Sequence, residues 1–153
     1  MSMSVPLDSD GFLRRECPTC EREFKWFKSP EGQGEPPAAG GYYCPYCAVQ
    51  APPGSWFTKA QIAKAKSLMM SEVVEPEFEK LRDTLDLIGR SSGGLIDAKL
   101  EVSRASDTPS PQLTEADDML RVDFDCHPHE PVKVIETWSG AVHCLVCGSP
   151  SQT

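Results

Sequence analysis

The spacing of the cysteines constrains this chain more than any other feature. There are seven, and six of them form three CxxC pairs, Cys17/Cys20, Cys44/Cys47 and Cys144/Cys147, with Cys126 left over. An odd count leaves one thiol unmatched in any disulfide scheme. With His129, which keeps the same two-residue gap from Cys126, the donors number eight, enough for two tetrahedral four-ligand shells. The expected sites are Cys17, Cys20, Cys44 and Cys47 for the first metal, and Cys126, His129, Cys144 and Cys147 for the second, with two Zn2+ as cofactors. His127 and His143 each adjoin a ligand cysteine, where reaching the same ion is strained, so they stand as alternatives to His129 and otherwise as surface residues. Four thiolates also suit iron, and a CxxC can be redox-active; both readings stand beside zinc for the first site.

A metal is what such a chain needs. Only 39% of its 153 residues are hydrophobic, and 14 prolines and 11 glycines interrupt it, so no long segment builds a large core. Zinc bound to a site absent from the unfolded chain contributes on the order of 10 kcal/mol to folding. Met1 to Gly11 has neither the basic start nor the apolar stretch of a secretory signal, and no run approaches the ~20 apolar residues that span a bilayer. The expected location is the cytoplasm, a reducing compartment in which paired cysteines are metal ligands more often than disulfides. The formal charge of −8 works against binding to bulk nucleic acid or anionic membrane, both of which are held through Lys and Arg.

Along the chain, residues 1–11 read as a flexible terminus and 12–54 as a β segment carrying the first two CxxC turns. Glu21 to Phe27 alternates polar and apolar residues as a strand does, and Ser29 to Gly41 is Pro- and Gly-rich, as in a loop. Residues 55–90 read as two helices. The first has Thr58 as N-cap with Gln61 at the capping-box spacing; the second follows an interruption at Pro76 and is capped by Gly89. In the second helix Phe78, Leu81, Leu85 and Ile88 form a narrow apolar seam, read either as packing within the protein or as a face for a partner or for self-association. Residues 91–119 read as a linker with one strand, Ile96 to Val102, and an acidic loop, 103–119, which is either solvated or a mimic of nucleic acid toward a basic partner. The last segment, 120–150, reads as a strand into Cys126 and then a hairpin, Val132 to His143, that delivers Cys144.

The paired turns Cys17-Pro18-Thr19-Cys20 and Cys44-Pro45-Tyr46-Cys47 resemble a zinc ribbon, and Cys126-His127-Pro128-His129 with Cys144-Leu145-Val146-Cys147-Gly148 resembles a second in which His replaces one Cys. The likeness covers about half of the chain. It implies structural metal and a ribbon surface that binds protein or nucleic acid. The expected fold class is α+β, two small zinc-ribbon β modules flanking a two-helix segment. A closed four-ligand shell leaves no position for catalytic water, and the deaminase pattern H-x-E followed by P-C-x-x-C is missing, because Glu130 directly follows His129 and His143 precedes Cys144. The expected function is therefore a non-enzymatic interaction module or adaptor subunit, with another protein as partner. The alternative is nucleic-acid binding through Arg14, Arg15, Arg22, Lys25, Trp26 and Lys28, where cations adjoin aromatics able to stack on unpaired bases; a zinc- or thiol-dependent enzyme is the lesser alternative.

Overall fold

A computed structural model describes residues 4–28, 34–91 and 112–151. Over these described residues the protein is α+β, with a four-stranded antiparallel sheet, a two-stranded ribbon and a long helical run. It divides into two compact units, one of residues 62–112 with 1–3, the other of 4–61 with 113–153. Both cysteine groups lie in the second unit.

The sheet joins the two ends of the sequence. Strands β1 (Phe12–Glu16) and β2 (Glu23–Phe27) form a hairpin, and β5 (Met119–Val122) pairs with β6 (Val132–Ile135); the order is β1-β2-β6-β5, so β2 and β6 meet in the middle with Trp26 opposite Val132. The ribbon is β3 (Tyr42–Tyr43) with β4 (Gln50–Ala51). In place of two β modules on either side of a helical segment, the strands from both ends share one sheet and one core. That core holds Phe24, Trp56, Val132, Val134, Phe124 and Leu145 together with Cys17, Cys44 and Cys144. The physical reason is area: neither hairpin has enough apolar surface to bury alone, and β2 and β6 each cover the other's open edge. The expected strand at Ala141 to His143 likewise turns away from β6. His143 pairs with Pro150 instead, and β6 spends its hydrogen bonds on β2 and β5.

Alternation along the strands gives the sheet two unlike faces. Phe24, Trp26, Val132 and Val134 turn to the core, where Phe24 meets Trp56 edge to face and Trp26 packs on it at a tilt. Across the other face the register places Arg14, Lys25, Lys133 and Arg121 side by side, one from each strand. Like charges directly opposite are destabilising, and acids of the same chain neutralise this row. Asp8 lies 2.8 Å from Lys133 and 3.3 Å from Lys25, Asp10 lies 2.6 Å from Lys133, and Glu115 and Asp118 lie 2.9 and 3.1 Å from Lys25. Lys25 has no exposed side-chain surface.

The helical run comprises α1 (Lys59–Met69), a π-turn (Met70–Val74) and α2 (Glu75–Ser91). Its start follows the capping-box spacing: the Gln61 amide donates to Thr58 Oγ1 (3.1 Å) and the Thr58 amide donates to Gln61 Oε1 (3.2 Å). Two expectations change here. The helix does not break before Pro76; the wider π-turn just ahead accommodates a residue with no N–H to donate, so the backbone continues. Gly89 does not end it either, since α2 runs on to Ser91. In α2 the side chains of Phe78, Leu81 and Ile88 are exposed, as are Met69 and Met70 before it, and Leu85 is half-buried. Among the described residues no helix is long and apolar enough to cross a membrane. The expected strand Ile96 to Val102 and the first part of the acidic loop, through residue 111, lie outside the described residues.

Candidate metal centres

Three CxxC turns in the second unit share one backbone geometry. In each, the amide four residues after the first cysteine donates back to that cysteine's carbonyl: Glu21 to Cys17 (3.0 Å), Ala48 to Cys44 (3.0 Å) and Gly148 to Cys144 (2.8 Å). In each, the first cysteine's own amide donates forward to the residue five on, Arg22, Val49 or Ser149. This folding back requires a left-handed residue directly after the second cysteine, and Glu21, Ala48 and Gly148 have φ of 55°, 56° and 72°. Gly148 has an added reason to lack a side chain, because a Cβ there would come within 2.8 Å of the Tyr43 ring. Amides inside the turns point at sulfur: Thr19 and Cys20 donate to Cys17 Sγ at 3.4 Å, and Tyr46 to Cys44 Sγ at 3.4 Å.

The first group, Cys17, Cys20, Cys44 and Cys47, is assembled as expected, its four sulfurs within 4.8 Å of one another. Cys17 Sγ to Cys47 Sγ and Cys20 Sγ to Cys44 Sγ are each 3.8 Å. A regular tetrahedron with ~2.3 Å metal–sulfur bonds has an edge of about 3.8 Å. The donor set thus fits zinc or another thiophilic ion.

In the second group the histidine is not the expected one. Cys126, Cys144 and Cys147 gather with His127, not His129. Residues 126–129 do not form the folded-back turn of the other three pairs; the Glu130 amide donates to the His127 carbonyl (3.0 Å), and Cys126 and His127 reach the centre as neighbours. Equal spacing therefore did not mean equal geometry. His127 Nδ1 lies 3.4 Å from Cys144 Sγ, and Cys126 and Cys147 Sγ are 3.5 Å apart. In a mixed shell of three sulfurs and one nitrogen, bonds of ~2.0 and ~2.3 Å give nitrogen–sulfur edges of about 3.5 Å and sulfur–sulfur edges of about 3.8 Å, so a metal fits here with slight expansion between Cys126 and Cys147. The His143 ring is engaged elsewhere, its Nδ1 lying 3.2 Å from the Pro45 carbonyl oxygen.

The two centres meet through their second turns. Tyr43, just before Cys44, donates to the Leu145 carbonyl at 2.8 Å, and His143, just before Cys144, donates to the Pro45 carbonyl at 2.9 Å. The exchange is reciprocal, as in a local two-fold pair. Burial pushes the Cys44 thiol up and the Cys144 thiol up to about 12, so both would be protonated in an apolar surrounding without a cation. A dication reverses that preference and takes up both as thiolates. Exposure differs between the centres, since Cys17 and Cys44 are buried while Cys126 and Cys147 are exposed.

A third acidic group, Asp8, Asp10 and Asp117, is already matched by the chain's own donors, Lys133, Lys25 and the Ser9 hydroxyl, which donates to Asp117 Oδ2 at 2.7 Å.

The residues expected to face nucleic acid are dispersed. Arg14 is paired with Glu23, Glu115 and Asp118 at 2.9, 2.8 and 2.6 Å, and Lys25 is buried on the opposite face of the sheet from Trp26. Arg15 stacks on Trp26 (4.6 Å) and Phe57 (4.9 Å), Arg22 covers Trp138 (5.0 Å), and Lys28 is exposed. Trp26 itself packs against Tyr42 and the core. The described end of the acidic loop is largely exposed, yet two of its acids, Glu115 and Asp118, are the partners of Arg14 and Lys25. The sequence reading missed this pairing because bases and acids about a hundred positions apart show no local pattern. It also missed Glu35, whose carboxylate lies 3.2 Å from His127 Nε2. Searches against protein-family models, curated proteins and solved structures return no match.

Proposed function

We propose that this protein is a non-enzymatic interaction module, an adaptor of zinc-ribbon type in which two structural Zn2+ ions hold one β body and an apolar helix serves as the contact with a partner protein. The observation that carries the structural part is the four-donor geometry of both groups, with edges of 3.8 Å that match a tetrahedron in the first and of 3.4–3.5 Å that fit one with slight expansion in the second. Four protein donors complete a zinc shell, and a structural zinc site is closed in this way whereas a catalytic one keeps a water position. Burial of Cys44 and Cys144 in the core ties the metals to stability.

The partner part is supported by the seam of α2. Phe78, Leu81 and Ile88 are 43%, 48% and 51% exposed, at the spacing of a helix that lies against another surface. Arg14 and Lys25 are consumed by internal ion pairs, which weakens nucleic-acid binding as the rival reading.

Metal analysis of the purified protein should give two zinc ions per chain, and a value well below two overturns the structural reading. Affinity purification from the native host should recover a protein that is lost with the double substitution Leu81→Glu and Leu85→Glu, while light scattering reports self-association through the same face. A complex that survives those substitutions removes the seam from the proposal. A salt-sensitive shift of single-stranded nucleic acid at low micromolar protein would favour the rival.

A further inference from the structure

The second metal centre has an unusual difficulty to overcome. Its nitrogen donor and one of its sulfur donors come from consecutive residues, Cys126 and His127, without the folded-back turn that orients the ligands of the other three pairs. An imidazole attached in this way can offer either ring nitrogen, and a neutral ring carries its proton on one of them. Something has to select the nitrogen and hold the ring.

We propose that Glu35 is the positioning residue for this centre, accepting a hydrogen bond from His127 Nε2–H and so directing the unprotonated Nδ1 to the metal. The inference rests on the reading of Cys126, His127, Cys144 and Cys147 as a metal site. Nδ1 lies 3.4 Å from Cys144 Sγ, inside the donor group, while Nε2 lies 3.2 Å from Glu35 Oε2 on the other side of the ring. Glu35 is held in turn. Its amide donates to Glu130 Oε1 at 2.7 Å, Glu130 is 6% exposed, and the Glu130 amide donates to the His127 carbonyl at 3.0 Å. The contacts close a circuit from His127 through Glu130 and Glu35 back to His127. A carboxylate behind a ligating histidine fixes its tautomer and raises its basicity, and losing such a partner typically costs ~10–100-fold in metal affinity. The arrangement also gives a role to the long loop between the first two CxxC turns, which supplies from the N-terminal half of the chain a group that the C-terminal site uses.

The test uses the full chain loaded with metal. Nitrogen NMR of the histidine rings in the zinc form should show Nδ1 of His127 bound to metal and Nε2 carrying hydrogen. Glu35→Gln keeps the shape of the side chain but removes its charge, and with the Glu35 side chain 45% exposed the fold has little at stake. In this variant a chelator should remove the three-sulfur, one-nitrogen metal ~10–100-fold faster. The four-sulfur metal should leave at the wild-type rate, the two being separated by their cobalt absorption bands. Glu35→Asp should restore part of the loss. The proposal is overturned if Nε2 is the bound nitrogen, or if Glu35→Gln releases metal from both sites as the wild type does while two ions are present. Fewer than two ions in the wild type would instead overturn the metal reading on which it depends.

Discussion

Asp8 shows how much one residue can decide in a chain with a small core. Its carboxylate sits between Lys25 and Lys133, which are paired across β2 and β6, and it also accepts from the Phe12 amide at 2.9 Å. Burial alone would raise its pKa, but the hydrogen bonds from Lys133, Phe12, Lys25 and Asp10 outweigh that and hold it at about 2. A carboxylate lowered in the folded state stabilises the fold at every pH above its unfolded value of ~3.9, and that contribution is lost as pH falls toward about 2. Asp8→Asn leaves two buried ammonium groups short of an anion. It should cost ~3–5 kcal/mol at neutral pH, read as a lower midpoint in urea with metal saturating; a change under ~1 kcal/mol would mean that Asp10, Glu115 and Asp118 suffice without it. None of this was legible in the sequence. Asp8 stands in a stretch that reads as a polar terminus, and Lys25 alternates with Phe24 and Trp26 as an exposed residue would. Cysteine, by contrast, could be read almost completely, because its ligand chemistry survives in spacing. The error at His129 arose where spacing was taken for geometry, in the one pair with no residue in the left-handed conformation after it.

At the scale of elements, the start of α1 was the most legible feature, since a capping box is local and its two hydrogen bonds need only four consecutive residues. Gln61 adds what the box could not foretell: it is 3% exposed, and its Nε2 donates to the Arg14 carbonyl of β1 at 2.9 Å. Thr58→Ala should therefore cost ~0.5–2 kcal/mol, as loss of an N-cap does, and Gln61→Ala should cost more because the half-buried Arg14 carbonyl also loses its donor. Thermal unfolding followed by circular dichroism checks the order, and equal effects would place the stabilisation in the cap alone. Pairing of strands was the least legible. Each strand announced itself by alternation, yet alternation says nothing about which edge a strand will meet. Tyr46 illustrates the outcome: its hydroxyl donates to the Glu23 carbonyl at 2.8 Å and accepts from the Ile135 amide at 3.1 Å, joining a CxxC turn to strands from both ends of the chain.

For the second unit as a whole, two candidate metal centres on one shared core imply one cooperative structure. The reciprocal hydrogen bonds of Tyr43 and His143 couple the centres, and the shared core contains ligands of both. Unfolding of the metal-loaded protein in denaturant should therefore appear as a single transition, with tryptophan fluorescence and the cobalt-thiolate bands of both sites lost together. Two separated transitions would show that the halves are independent. The same architecture has a consequence for how the protein is made. Asp8 and Lys133, which meet in the finished sheet, are 125 positions apart. A chain synthesised from its N-terminus has both turns of the first cysteine group in hand long before β6 exists, so the inner edge of β2 stays uncovered until β6 emerges. An open strand edge is a template for any other strand nearby. Nascent chains that stop short of β6 should therefore aggregate more readily than chains that include it, because β6 is the strand that covers this edge.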